Sequence, residues 1–392
     1  MAVKIIFWIF LGLLIYSYFG YTLLLLAISL IRKIFIPKKG NTNVYNLPTL
    51  TIVVAAYNEE NNINDKVKNT LQQDYPQGKI FQIWINDHSS DTTEELLLKY
   101  PNVTLLNQPE RRGKIAAINL AMPYVKTPIT IFSDANAMLS ASALRKITEP
   151  FSNPKVGCVA GEKRIHINSF ENAAATGEGI YWRYESFIKK LESDCGSTLS
   201  ATGELYAIRT ELFDDVDSST ILDDFIISTN VIKKGYLVKY VPDAQASEKA
   251  SANIIEEKKR KVRIAAGSFQ ALFQNLEFIN PFKYPMFSFQ FFSHKILRWF
   301  VLPVSLFLIP ILNLLILITV SQNPIYIISL LAQALILIAI VVGWLLKDKQ
   351  ISAKWIFLLY YLFMMNISIV LGFIRYAGGR QNVKWDKSIR QT

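Results

Sequence analysis

The sequence predicts an α/β domain with a mostly parallel sheet, held between membrane-spanning helices. Long apolar runs free of charge lie toward both ends of the chain, and between them short β-rich runs alternate with stretches of helical spacing. In that middle region the strand ends carry polar clusters, and ligands gather beyond the strand ends of such sheets.

The first element is the run from Ile5 to Ile31, 27 positions without a charge, long enough as a helix to cross a bilayer with some tilt. It continues into Arg32 and Lys33 without the small residues of a cleavage site, so residues 1–35 read as an uncleaved anchor. An α/β domain is expected over 47–271. Its strands are Thr49 to Ala55, Phe81 to Asn86, Val103 to Leu106 and Thr127 to Ser133. Its helices are Asn61 to Gln73, Asp91 to Lys99 and Lys114 to Met122.

Residues 272–296 follow, and from Asn280 to Ile296 Phe282, Tyr284, Phe287, Phe289, Phe291 and Phe292 stand among Lys283, His294 and Lys295, which reads as an interfacial segment, with packed core as the alternative. Trp299 to Leu346 has no charge over 48 residues and is interrupted by Ser321 to Pro324, giving two helices and a turn. A third apolar run spans Trp355 to Ile374, so about three spans are expected in 297–376, with a basic tail over 377–392. Arg32, Lys33, Lys38, Lys39 and the loop with Lys347, Lys349 and Lys354 place the large domain on the cytoplasmic side and the amino terminus outside. A third crossing would put Arg375, Arg380, Lys384, Lys387 and Arg390 outside, against that rule, so either the last segment is re-entrant or interfacial or the tail is an exception.

Forty-two Lys plus Arg against 31 Asp plus Glu leave a net charge of +11, suited to anionic lipid or a polyanionic small substrate. The basic residues cluster beside the spans and around Arg111 and Lys258 without an interleaved aromatic stripe, which argues against nucleic acid. The apolar runs carry no charge, which argues against a transporter. Cys158 and Cys195 form no CxxC pair, and with only His88, His166 and His294 present a zinc or histidine metal centre is not expected.

The clusters are Tyr57, Asn58 and Glu59 after the first strand, Asp87 after the second, and Asp134 with Asn136 after the fourth. Taken singly, each is an ordinary turn-forming group. Together with the basic RRGK loop they offer hard oxygen ligands for Mg²⁺ or Mn²⁺ and cations for a diphosphate. In AAYNEE (Ala55 to Glu60), NDHSSD (Asn86 to Asp91), RRGKIAAIN (Arg111 to Asn119) and SDAN (Ser133 to Asn136) the chain resembles the membrane-bound family 2 glycosyltransferases. That family includes cellulose, chitin, hyaluronan and poly-N-acetylglucosamine synthases. The resemblance implies a GT-A nucleotide-diphospho-sugar transferase domain with flanking transmembrane helices. Tyr57, Asn58, Glu59 and Asp87 would line the nucleotide pocket, and Lys114 would approach the diphosphate. Asp134 and Asn136 would hold the metal, with Asn136 standing where the family has Asp.

On the acceptor side, Thr202, Gly203 and Glu204 fall where the family has a glycine-containing segment beneath the acceptor sugar, and Leu222 to Asp224 fall on its TED motif. By that resemblance Asp224 is the general base and Asp223 its neighbour. The pair also suits a helix start, where the dipole favours acids. RKVRI (Arg260 to Ile264) takes the place of QxxRW, so Arg260 and Arg263 are expected at the diphosphate, although a basic lipid-facing surface is the alternative. Ile264 replaces the Trp that supports the acceptor, which points to short products unless Tyr181, Trp182 or Tyr184 supply an aromatic face. The resemblance implies inverting transfer to a saccharide or lipid-linked acceptor, in cell-surface polysaccharide or glycolipid synthesis. A catalytically silent nucleotide-binding subunit is the alternative.

Overall fold

The computed structural model describes residues 1–35, 46–166, 173–251, 253–319, 322–347 and 354–379. Lys38, Lys39, Lys349 and the tail from Arg380 onward lie outside them. The strands are β1 (Leu50–Ala56), β2 (Ile80–Asn86), β3 (Val103–Asn107), β4 (Ile129–Ser133), β5 (Met138–Leu139), β6 (Val156–His166), β7 (Leu205–Arg209) and β8 (Leu237–Lys249). They form one sheet in the order β3-β2-β1-β4-β7-β6-β8-β5. The first four expected strands fall where the alternation places them, and β1, β2, β3 and β4 pair in parallel. β7 runs antiparallel to both β4 and β6, so the sheet is mixed, where the sequence suggested a mostly parallel one. That reversal matters for the site: Ser133 at the end of β4 stands opposite Leu205 at the start of β7. The SDAN and Thr202 to Glu204 segments therefore emerge side by side.

The helices are α1 (Ala2–Phe35), α2 (Glu60–Leu71), α3 (Thr93–Leu98), α4 (Lys114–Ala121), α5 (Ala143–Thr148), α6 (Ala173–Cys195), α7 (Asp223–Lys233), α8 (Ile254–Gln274), α9 (Pro285–Thr319), α10 (Pro324–Leu346) and α11 (Lys354–Ala377). Alternate residues of β1 serve two cores. Ile52 and Val54 face α2 and α5 through Ile63, Val67, Leu144 and Ile147. Val53 belongs to the opposite face, with Ile115 and Ile118 of α4 and Phe225 and Ile226 of α7. Burial on both faces explains the near-continuous apolar run of β1.

The aromatic segment departs from the interfacial reading. Phe287 and Phe291, one turn apart, enter the domain core with Phe278, the Phe278 and Phe287 rings lying 4.7 Å apart edge to face. Phe282 alone stays fully outside, at 96% exposed. The segment is thus partly domain core, and from Pro285 it is already the helix that continues to Thr319.

α1, α9, α10 and α11 are long and apolar enough to cross a membrane. Their packing separates them. The first half of α1 lies along the far part of α9, with Phe7 against Ile316 and Tyr326. Its second half lies on α6, with Tyr21 and Leu25 against Ile188 and Leu191. α11 instead follows α8 along its length: Tyr361 and Met364 meet Ile254, Phe373 meets Phe269, and Tyr376 stacks on Phe273. Its early residue Tyr360 touches Gly343 near the end of α10, while its late residue Phe373 touches Phe300, near the domain-proximal part of α9. Both ends of α11 therefore lie close to the domain.

Candidate active site

The loops after β1 and β2 are laced to each other. Asn58 adopts φ 54°, a left-handed turn that Asn tolerates. Its side-chain oxygen accepts from the Ser90 N–H at 2.9 Å, and its own N–H donates to the Ser89 hydroxyl at 3.0 Å. The Glu59 N–H donates to the Thr93 hydroxyl at 2.8 Å. Asp87 is fully buried and accepts from the backbone N–H groups of Arg112 and Gly113 at 2.8 and 3.0 Å, so it shapes the basic loop. Gly113 has φ 94°, which only glycine adopts without strain. The Arg111 guanidinium lies over the Tyr57 ring, 3.8 Å from its centre. Tyr57, Asn58, Glu59 and Asp87 thus come together in one cleft.

Lys114 opens α4 and reaches the end of β4. Its amine is 2.7 Å from Asp134 Oδ1 and 3.3 Å from Asp223 Oδ2, a cation between two carboxylates. Burial pushes the Asp134 carboxyl above its usual range, with Lys114 opposing. This place suits a divalent cation: Asp134 and the half-buried Asn136 present hard oxygens, and the lysine shows that positive charge is accepted there. Among the described residues no three His, Cys, Asp or Glu side chains converge on a metal position. An ion at Asp134 would complete its shell with diphosphate and water oxygens.

Sequence reasoning missed Lys66. It is fully buried beneath the SDAN segment, donating to the Ser133 hydroxyl at 2.7 Å and to the Ala137 carbonyl, so one ammonium holds both ends of the loop. The signal was present: Lys66 lies on the same face of α2 as Ile63, Val67 and Thr70, where helical spacing expects apolar residues.

The acceptor-side residues converge on the same place. Thr202 donates to the Gly161 carbonyl at 2.9 Å. Gly203 separates the two halves of the site, since an added Cβ would lie 3.5 Å from the Lys114 amine and 3.7 Å from Asp224 Oδ2. Burial would raise the Glu204 carboxyl, but Lys163 at 2.6 Å overrides it and holds the group at about 2. Asp223 accepts the Tyr206 hydroxyl at 3.2 Å as well as Lys114. Asp224, in the first turn of α7, is pushed up to about 7 by burial and by the neighbouring Asp223, with Lys114 opposing.

Arg260 requires a correction. Its guanidinium is buried among Glu178, Glu248 and Glu257, brought together by α6, β8 and α8, so these carboxylates already match the charge expected to meet a diphosphate. Arg263 lies one turn before Gly267, which packs on Ile221 and Leu222 directly ahead of Asp223. A cavity of about 550 Å³ runs from Asp224 and Gly203 past Trp182, Tyr181 and Ile264 to the long apolar helices. Tyr181 and Trp182 of α6 thus line the same cavity as Ile264.

A sequence profile described as "Glycosyltransferase like family 2" matches residues 48–267, more than half of the chain. Similar curated proteins include the poly-β-1,6-N-acetyl-D-glucosamine synthase of Staphylococcus aureus, 29% identical over 248 residues, 61% of this chain and 59% of that one. The synthase of Staphylococcus epidermidis is 27% identical over 236 residues, 58% and 56% respectively. The chain thus spans about three fifths of the length of the curated relatives it matches. Among solved structures, the mannosyltransferase PcManGT from Pyrobaculum calidifontis, in complex with GDP-Man and Mn²⁺, superposes with a TM-score of 0.71 at 20% identity, over 95% of this chain and 99% of that one. With this mixed GT-A sheet, this site and this profile match, the chain belongs to the family 2 glycosyltransferases.

Proposed function

We propose that this glycosyltransferase moves a sugar from a nucleotide diphosphate to a hydroxyl of a saccharide or lipid-linked acceptor at the membrane face, with inversion. The observation that carries the reading is the convergence of Lys114, Asp134, Asp223 and Asp224 about Gly203. On one side are a cation and a metal-competent carboxylate, and on the other a carboxylate poised near neutrality. Asp224 takes the proton of the acceptor hydroxyl as its oxygen bonds to the anomeric carbon, and the bond from that carbon to the diphosphate breaks with its electron pair leaving on phosphate. Lys114 turns from Asp134 to the departing diphosphate, and Tyr57, Asn58, Glu59, Asp87 and Arg111 line the nucleotide. Arg263, one turn before the Gly267 that packs on Leu222, is the arginine of α8 that would assist. Held by Asp134 and Asn136, Mg²⁺ or Mn²⁺ supplies Lewis-acid neutralisation of the leaving charge.

The nucleotide sugar and Mn²⁺ bound by the Pyrobaculum protein support the donor class, and the staphylococcal synthases support a saccharide product. The catalytic domain is read as cytoplasmic, beside Arg32 and Lys33. The test is a panel of nucleotide sugars incubated with the purified protein, with and without Mn²⁺. Metal-dependent release of nucleoside diphosphate from one or a few donors is expected, and none from any donor would refute the reading.

A further inference from the structure

The deep cavity contains two cations that the reaction above leaves unassigned. Four cations on its wall are matched by acids: Lys163 by Glu204, Arg260 by Glu178, Lys261 by Glu257 and Arg298 by Glu185. Lys189 of α6 and Lys295 of α9 line the same cavity, and among the described residues neither makes an ion pair or a hydrogen bond to protein. Their neighbours are aromatic faces: Lys189 lies 6.0 Å from the centre of Trp182, and Lys295 lies 5.4 Å from Trp299 and 6.0 Å from Phe225. Lys189 is only 8% exposed. Burial draws its amine below the usual lysine range, with Asp224 the foremost group opposing, so the lysine and the proposed base feel each other. Glu185, Glu204 and Glu192 also act on Lys189, but none of these carboxylates reaches it as a direct ion pair. A buried amine without a direct ion pair is costly to keep charged, and a ligand that brings an anion into contact lowers that cost.

The same cavity has an apolar stretch of wall, with Phe19 of α1, Leu302 of α9, and Leu358, Leu362, Met365 and Ile369 of α11, where Asn366 and Ser368 also face it. One cavity thus joins the Asp224 carboxylate, two amines without a direct ion pair, and hydrocarbon. We propose that the acceptor is a lipid whose head bears a phosphate. Lys189 and Lys295 hold the phosphate, a hydroxyl beyond it meets Asp224, and the tail lies along α11. A neutral saccharide would leave both amines without a direct ion pair, and a soluble phosphate would have no use for the apolar wall. This inference rests on the function proposed above and specifies its acceptor.

The experiment uses the full-length protein in phosphatidylcholine nanodiscs with a twelve-carbon alkyl phosphate carrying a terminal diazirine. Photolabelling is expected on Leu358 to Ile369. Excess dodecyl phosphate should suppress it at least tenfold, whereas dodecanol or inorganic phosphate should not. Lys189→Gln with Lys295→Gln should lower labelling to a similar degree, and Lys189→Arg with Lys295→Arg should retain it. The proposal falls if dodecanol competes equally, because the site then reads no charge, or if inorganic phosphate does, because it then reads soluble phosphate. It falls also if a folded double glutamine variant labels like wild type; should that variant not fold, the competition on wild type decides. Binding of GDP and UDP by the same discs is followed separately. Its loss would remove the transfer reaction itself, whereas intact nucleotide binding with failed head-group discrimination removes only the lipid phosphate.

Discussion

Asp224 occupies the first turn of α7, where a carboxylate is favoured by the helix dipole, yet burial and Asp223 push it up to about 7. A base must be deprotonated to act. Transfer should therefore climb with pH, roughly tenfold per unit below about 7, and level off above it. Asp224→Asn should leave donor binding intact, lower transfer by about two to four orders of magnitude and abolish that pH limb. Survival of either the rate or the limb places the base elsewhere. Asp134→Ala removes the charged oxygen of SDAN, and calorimetry with and without Mn²⁺ should then show no metal-dependent gain in donor affinity. Lys66 contacts the loop from behind, through Ser133 and Ala137, so it is a positioning residue. Lys66→Met should weaken the apparent metal affinity about 10–100-fold, the usual effect of losing a supporting partner. A metal titration of donor binding identical to wild type would show that the loop keeps its shape alone.

At the scale of elements, α6, α8 and α11 wall part of the cavity, and small residues set their separation. An added Cβ at Gly372 of α11 would run into Ala265 and the backbone of Ala266 on α8. One at Gly177 of α6 would come within 2.5 Å of Tyr361 Cβ. Neither glycine has a left-handed backbone, so close approach explains them. Gly372→Val should cost about 1–3 kcal/mol, the usual effect of overpacking, and loosen α11 from α8. A lower melting temperature, with faster proteolysis at the end of α11, is the expected result; an unchanged melt would mean that the helices separate without cost. A second joint is ionic. His294 lies between Glu192 at 2.6 Å and Glu185 at 3.1 Å, and Arg298 pairs with Glu185, tying α9 to α6. Burial works against ionisation of Glu185, yet Arg298 and His294 hold its carboxyl well below the usual range.

At the scale of the whole molecule, the packing of α11 bears on how the chain meets the membrane. α11 packs along α8, with Tyr361 at Ile254 and Tyr376 at Phe273, so both of its ends stay near the domain. We propose that α11 lies along the membrane face, which would put the basic tail, outside the described residues, on the side of Arg32 and Lys33 and remove the conflict with the positive-inside rule. A cysteine at Gln322 should react with an impermeant maleimide from outside, while cysteines at Gln350 and Thr392 should react only after permeabilisation. The native thiols of Cys158 and Cys195 are buried and give little background. Outside labelling at Thr392 would show that α11 crosses.

The sequence by itself determined the early strands, the long apolar helices and most of the polar clusters, because periodicity, charge-free length and turn chemistry are local properties. Tyr57, Asp87, Lys114, Asp134 and Asp224 stand at element ends, where local patterning is strongest. Only the tertiary structure decided the rest. The antiparallel insertion of β7 brings Thr202 to Glu204 beside SDAN, and a pairing between strands distant in sequence leaves no local trace. Arg260 reads as a free cation until Glu178, Glu248 and Glu257 arrive from separate elements. For α11 the sequence left open whether the segment crosses fully: length and hydropathy say only that it suits a membrane, and its packing along α8 is a long-range contact that leaves no local trace.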